Sequence, residues 1–408
     1  MFLESTISDI ENYPFLNPFR FENDPSKKYW HISTLESLLE ENWNSIEEGV
    51  TENREYLAAR EKIFSSSVFQ YFTDQKNRII QESLETDNSF QILGAYTSLL
   101  DSIVQTAFDY SFIDIPLIKE RLVEELNHEL NYKQKNLPEK KEKLKLLKEQ
   151  ILEMEKNLES GSSSSREYRY FQEVESQHES ETRILEERIE ELQQLIPQIQ
   201  DFTNDKNFVL NHLVIFARGG YGRAELGLSS DRDLGYCLDT NRLNNGEAEM
   251  LRQLIVHIEN LLRNSGVETA HQYFEIDEDL SRFDEVNTLH TIPSILESRV
   301  LLGSESLATN LKNRFFQVIT FEPYVLNLVR SFSESKEPEL NRMDLKMDYG
   351  GLRSLQIPLW ITAATFGIFP SQTADLLAFL IQKHLLSHRQ ALKLCQALEF
   401  LHDLRNFS

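Results

Sequence analysis

Apolar residues recur at helical spacing along most of this chain. The period shortens to that of strands only in three short runs between about residues 212 and 276. Leu93, Tyr96, Leu99, Leu100, Ile103, Val104 and Ala107 share one helical face and predict a helix over 89–110. Weaker helical patterns over 34–41 and 54–72 belong to an N-terminal helical region, 1–88, whose start Asn17-Pro18 and Asp24-Pro25 break into turns. Leu144, Leu147, Ile151, Met154 and Leu158 recur at spacings of three and four, as do Leu185, Ile189, Leu192 and Ile196, with Lys and Glu between them. That alternation is the seam of a coiled coil. Gly161 followed by Ser162–Ser165 supplies a flexible tip, and Pro197 is expected to end the second arm. The pattern predicts an antiparallel coiled-coil hairpin over 116–200. Such an arm serves either as a solvated spacer or as a surface for dimerisation or a partner.

The strand-like runs are 212–217, bounded by Gly219-Gly220, then 233–238 and 268–276, with an amphipathic helix over 249–264 between the last two. From about residue 292 the pattern is helical to the end, punctuated by Pro323, Pro338, Pro358 and Pro370. No tandem repeat is visible. The fold class is α+β, mostly helical. The expected divisions are 1–88, a core of 89–115 with 201–310, the hairpin 116–200, and a C-terminal helical domain 311–408.

Composition narrows the function. Sixty-six acidic residues against 42 Lys and Arg leave a formal charge of −24 over 408 residues. A chain this acidic repels a phosphate backbone, which argues against a general nucleic-acid binder but leaves room for one phosphate pocket. Two cysteines are too few for a disulfide framework or a structural zinc site. No stretch reaches the roughly 18 apolar residues of a membrane span, and residues 1–15 lack the basic and apolar blocks of a signal peptide. A soluble, reducing, cytoplasmic setting is the expectation.

One segment carries sharp chemistry, FARGGYGRAELGLSSDRDLGYCLD at 216–239. Gly219 and Gly220 follow a strand and allow a backbone to approach a ligand. A helix N-terminus just beyond would offer unpaired N–H groups to a phosphate. Asp231 and Asp233, two apart at a strand's start, point to one face. Two carboxylates beside a phosphate-cradling turn form a site for Mg²⁺ or Mn²⁺, which share oxygen ligands with substrate phosphates. No Gly-Lys-Ser/Thr is present, so this is not a P-loop. Glu225 breaks the dinucleotide-binding pattern that Gly220 and Gly222 begin.

The string GGYGRAEL followed by SDRDL resembles the nucleotidyltransferase domain of protein-PII uridylyltransferases and the related signal-transduction nucleotidyltransferases, which are bacterial. Gly219, Gly220, Tyr221, Gly222, Arg223, Glu225, Leu226, Ser230, Asp231, Asp233 and Leu234 all fit that family's pattern. DLKMDYGGLRSLQ at 344–356 is similar to the family's N-x-K-E-G-P-G-G-L-R-D-L-Q through Lys346, Gly350, Gly351, Leu352, Arg353 and Gln356. LESRVLLG at 296–303 is similar to its L-x-x-x-R-x-L-x-G.

The resemblance implies a polymerase-β-like nucleotidyltransferase core, a short mixed sheet with helices, followed by a helical bundle. It implies transfer of UMP from UTP to a hydroxyl of a PII-like protein. Asp231 and Asp233 would hold the metal. Gly219, Gly220 and Ser230 would line the triphosphate. Arg223 would contact phosphate or pair with Glu225 to hold the turn. Lys346, Gly350, Gly351 and Arg353 would support the site from the helical domain.

The family's third carboxylate aligns best with Thr288, so Asp284, Glu285 and Glu275 are the candidates to supply it. Without one, the alternative is a weak or inactive nucleotide-binding module that signals through its coiled coil. A small-molecule nucleotidyltransferase is disfavoured by the second segment. His402-Asp403 and the pair His384 and His388 lack further ligands and are set aside as metal sites.

Overall fold

Three strand-like runs do pair, and a fourth strand, absent from the sequence pattern, joins them. The computed structural model describes residues 32–44, 53–85, 89–159, 165–277, 280, 291–318, 321–333, 344–368 and 373–407. The strands are β1 (Leu213–Ala217), β2 (Arg232–Leu238), β3 (Thr269–Glu275) and β4 (Arg299–Gly303), in the order β3-β2-β1-β4. β1 runs antiparallel to both β2 and β4, while β2 and β3 are parallel, so the sheet is mixed. All five residues of β1 are buried, which accounts for its continuous apolar run.

The helical pattern expected from about residue 292 is therefore interrupted at β4. Five residues are too few to display a period. They become a strand because β1 would otherwise leave one row of N–H and C=O groups without partners in a buried sheet. Arg299, at the start of β4, forks onto Asp101 of a helix at 2.9 and 3.0 Å and fixes the strand there.

Register assigns the faces. Phe216 lies opposite Gly235, which lies beside Gln272, and Val214 and Cys237 pair one step along with Phe274. These positions share one face with Asp233 and Ala270. Leu234, Tyr236, His271, Tyr273 and Glu275 take the other face. On the first face Val214, Phe216, Cys237 and Phe274 pack with Leu311, Phe315, Leu328 and Trp360 in one buried cluster. The polar end of that same face, at Asp233 and Gln272, lies above this core.

The helices are, in chain order, α1 (Ile32–Asn44), α2 (Asn53–Glu85), α3 (Ser89–Ile113), α4 (Ile115–Glu159), α5 (Ser165–Gln200), α6 (Lys206–His212), α7 (Gly219–Gly222), α8 (Asn245–Asn264), α9 (Thr291–Leu296), α10 (Glu305–Val318), α11 (Phe321–Ser333), α12 (Leu352–Phe366), α13 (Thr373–Gln382) and α14 (His388–Phe407). Leu352, Ala363, Leu376, Leu380, Cys395, Leu398 and Leu401 bury the facing stripes of the last three against Leu93 of α3.

The chain divides into two compact units. One comprises the described residues up to Ile113 with Asp205–Arg242 and those from Leu254 onward; the other comprises Asp114–Asn204 and Leu243–Gln253. Within the second, α4 and α5 lie antiparallel. Ion pairs join Glu129 to Arg188, Lys140 to Glu181 and Lys148 to Glu179, so the partner's number falls as the first rises. Ile151, Ile189, Leu192 and Ile196 of the seam are buried, whereas Leu146, Leu152 and Ile184 outside it are exposed.

Pro197 does not end α5, which runs on to Gln200. A proline in the final turn removes only one bond, and Asp201 N–H donates to the Pro197 carbonyl at 3.0 Å to close the end. The tip at 161–164 lies outside the described residues, as do Trp30 and the N-terminal turns. Among the described residues, no helix is long and apolar enough to cross a membrane.

Candidate functional site

β1 ends at Ala217, and the chain turns at once through α7. Gly219 adopts φ +54°, and a Cβ there would stand 3.2 Å from Asp233 Oδ2. Glycine at this point therefore serves both the left-handed backbone and the approach of a carboxylate. Within the turn, Gly222, Arg223 and Glu225 N–H groups donate to Arg218, Gly219 and Gly220 carbonyls at 2.9, 3.0 and 2.8 Å. The Arg218 N–H donates to the Asp233 carbonyl at 2.9 Å, which extends the β1–β2 ladder up to the aspartates.

The turn is held by a buried ion triad. Arg223 donates to Glu225 and to Glu297, each at 2.8 Å, with all three side chains at most 10% exposed. Of the two roles open to Arg223, the geometry shows pairing: its guanidinium faces carboxylates. Burial works against the charge of Arg223, and the two carboxylates overcome it. Burial holds Glu297 above the ordinary glutamate range. Glu225 stays below that range because Arg223 outweighs its burial. Thr373 of α13 donates to Glu225 as well, so the triad fastens the turn to the C-terminal helices.

Asp231 and Asp233 open into a cavity of about 340 Å³. Its lining brings together Gly219, Gly220, Arg223, Glu225, Ser230, Asp231, Asp233, Lys346 and Arg353 of the residues expected from sequence. Gly350 and Gly351 stand back from it and shape the turn before α12. There the Gly350 N–H donates to Ser354 Oγ at 3.0 Å, and the Leu352 and Arg353 N–H groups donate to the Leu345 and Lys346 carbonyls at 2.9 and 3.0 Å. That turn sets Lys346 beside Arg353.

Arg232, between the aspartates, points to the other face and donates to Tyr96 Oη at 3.0 Å. Glu275 does not join the aspartates. It lies on the opposite face, five register steps along β3 from the partner of Asp233, and accepts from Tyr273 Oη at 2.7 Å. Asp284, Glu285 and Thr288 lie outside the described residues.

The sequence reading did not anticipate Arg218, Gln272 or Arg405, which line the cavity together with His402, weighed there only as half of a metal-binding pair and set aside. Arg218 is a strand-end residue and Gln272 a strand residue with no motif signal, while α14 carries the other two about 170 residues away. His402 is buried, and burial pushes its imidazole down to about 4, so it is neutral near pH 7.

Lys346 and Arg353 are lowered from the ordinary range by burial first and by neighbouring cations after it, Arg353 to about 10; Arg405 is lowered by burial, which Asp231 and Asp344 oppose. Lys346 Nζ and the Arg405 guanidinium have no hydrogen bond or ion pair among the described residues. Cations gathered in excess of the carboxylates around them make a pocket for a polyanion. The lining holds five cationic side chains against three carboxylates, so its local charge opposes the acidity of the whole chain.

Asp233 itself is raised, by burial first, with Arg218 opposing and Asp231 adding to the shift. Ser230 Oγ is buried without a hydrogen-bond partner among the described residues. Two carboxylates beside this open hydroxyl fit one oxygen-liganded divalent cation that takes its remaining ligands from a phosphate. Among the described residues, no group of three or more His, Cys, Asp or Glu is placed to hold a metal.

Residues 330–407 match the family described as GlnD PII-uridylyltransferase, a stretch that includes Lys346, Arg353, His402 and Arg405 but not the aspartates. The bifunctional uridylyltransferase/uridylyl-removing enzyme of Zymomonas mobilis is 30% identical over 165 residues, which cover 38% of this chain and 17% of that protein. The protein of the same name from Ectopseudomonas mendocina is 30% identical over 206 residues, 47% of this chain and 21% of that protein. That of Rhodospirillum rubrum is 25% identical over 233 residues, 52% of this chain and 23% of that protein. The chain thus spans about a fifth of the length of the curated relatives it matches.

Proposed function

We propose that this PII-uridylyltransferase-like chain transfers a nucleoside monophosphate, UMP from UTP, to a hydroxyl group of a protein of the PII type. The observation that carries the reading is the meeting of Asp231 and Asp233 with Gly219, Lys346, Arg353 and Arg405 in one cavity. On this reading the sheet and its turn are a polymerase-β-like nucleotidyltransferase core, and the C-terminal helices supply the far wall of the triphosphate site.

Asp231 and Asp233 would hold Mg²⁺ or Mn²⁺, with Ser230 and the backbone of Gly219 and Gly220 along the phosphates. A bound cation would neutralise charge on the phosphate oxygens as the leaving pyrophosphate forms. Lys346 and Arg405 bind the β- and γ-phosphates and hold them in line. The acceptor oxygen attacks the α-phosphorus, and a new P–O bond forms. The bond from the α-phosphorus to its bridging oxygen breaks, and pyrophosphate carries away the electron pair. The hydroxyl proton passes to a carboxylate oxygen of Asp231, which lies exposed at the mouth where a protein acceptor must enter. Arg223 acts by holding the turn, through Glu225 and Glu297.

The test is label transfer from α-³²P UTP to a PII-type protein with Mg²⁺ or Mn²⁺, with ATP, CTP and GTP in parallel. Asp231→Asn and Asp233→Asn should each abolish the labelled band; transfer retained in either variant refutes the site. Gln272, an amide on the site face where a further carboxylate would help, favours a second reading, a nucleotide-binding module without turnover. Binding of UTP without any labelled product in the wild type would select it. We assign the α4–α5 pair to self-association or partner binding, which deletion of 138–196 should abolish while label transfer persists.

A further inference from the structure

β2 and β3 present Gly235 and Gln272 side by side on the face that carries Asp233. The Gln272 amide is engaged by Arg218, whose Nη1 donates to Gln272 Oε1 at 2.6 Å. Arg218 Nε donates to the Leu234 carbonyl at 3.0 Å, so the guanidinium is clamped at two points. Its Nη2 lies 3.9 Å from Asp233 Oδ1, too long for a hydrogen bond, and keeps its donors for the cavity. The side chain is 9% exposed. A buried, immobile guanidinium thus stands beside one oxygen of the metal-binding aspartate, next to an amide that carries no charge. Burial lowers its tendency to stay charged, and Asp233 offsets part of that.

We infer that this site takes a single divalent cation, and that Arg218 supplies the positive charge a second cation would bring to the transferred phosphate. The inference rests on the nucleotidyltransferase reading above. A cation bonded to Asp233 Oδ1 would lie at about 2.1 Å from it. Added to the 3.9 Å between that oxygen and Nη2, this leaves the ion no farther than about 6 Å from the guanidinium. A divalent ion is repelled there, and Gln272 offers no charge to offset the repulsion. A single cation, held by Asp231 and the other oxygen of Asp233, meets less of that repulsion. Arginine is suited to the vacated role because its planar fork donates to two phosphate oxygens without needing ligands of its own.

The experiment is Mn²⁺ and nucleotide binding to the full chain, with the non-transferable analogue α,β-methylene-UTP as probe. Bound Mn²⁺ is read from the loss of the free-ion paramagnetic resonance signal. One Mn²⁺ per bound analogue is expected; two overturn the inference and leave the nucleotidyltransferase reading intact. Failure of the analogue to bind overturns both. In Arg218→Met, Mn²⁺ alone should bind about tenfold more tightly and the analogue about tenfold more weakly. A merely structural role for Arg218 would weaken both, and that result refutes the assignment. Arg218→Met/Gln272→Glu should admit a second Mn²⁺. Arg218→Lys, which keeps the charge, should restore the Mn²⁺ affinity of the wild type. If these variants fail to fold, the stoichiometry of the wild type decides alone.

Discussion

Replacing Arg223 by Met tests whether the ion triad holds the turn. The side chain keeps its length and loses its charge, and Glu225 and Glu297 are left facing each other at 10% and 8% exposure. Breaking a buried pair by removing one partner costs about 3–5 kcal/mol. One guanidinium here serves two carboxylates, each at 2.8 Å, so about 4 kcal/mol is expected, or roughly 6 °C in the unfolding midpoint.

The loss should depend on pH. Arg223 holds Glu225 below its ordinary value of 4.5 against its burial, so this contribution is complete above that value. It disappears as pH falls through the folded-state value. In the variant both carboxylates are buried without a counter-charge, take up protons more readily, and relieve the strain in acid. The gap between wild type and variant should therefore be widest near pH 7 and shrink toward pH 4. Urea unfolding followed by tryptophan fluorescence, repeated across that range, measures it. Arg223→Met/Glu297→Gln should recover about half of the loss. A change below about 1 kcal/mol at pH 7, or a gap indifferent to pH, would refute the reasoning.

Other outcomes are equally specific. Arg405→Met and Lys346→Met should each weaken UTP binding by about tenfold or more with little change in unfolding midpoint, because neither cation has a partner to strand; calorimetric titration checks this. Gly303→Ala should destabilise the fold by about 3 kcal/mol or more, since Gly303 sits at φ +92° and a Cβ would lie 1.9 Å from the Leu213 carbonyl oxygen. An unfolding midpoint near that of the wild type would refute the β1–β4 pairing. Burial lowers His402 from 6.5 to about 4, so the unfolded chain takes up this proton first as pH falls. Its contribution is complete above pH 6.5 and declines between 6.5 and about 4, by up to about 3 kcal/mol. His402→Leu should flatten that part of the stability profile, and an unchanged slope between pH 7 and 5 would refute the assignment.

How much of this was legible follows from the range of each interaction. The seams of α4 and α5, the burial of β1 and the aspartate spacing are local. Periodicity and two-residue alternation are written into consecutive positions, and a GGYGR-x-EL string followed by SD-x-DL carries its turn and its carboxylates within 16 residues. The helical wall was legible in part, because Lys346 and Arg353 lie in a motif. β4 was not, since five residues show no period and only the open edge of β1 makes them a strand. Nor did the alternation show that Glu275 would face away from Asp233, because that follows from the parallel register of β2 and β3.

Local sequence therefore determined the elements and the pair of carboxylates. Tertiary structure decided what surrounds that pair: Arg218 clamped to Gln272 across two strands, Arg223 locked between Glu225 and Glu297, and Arg405 brought from α14. Charges act through space over several ångströms in a poorly screened cavity, and chain position records none of those distances until the helices have packed.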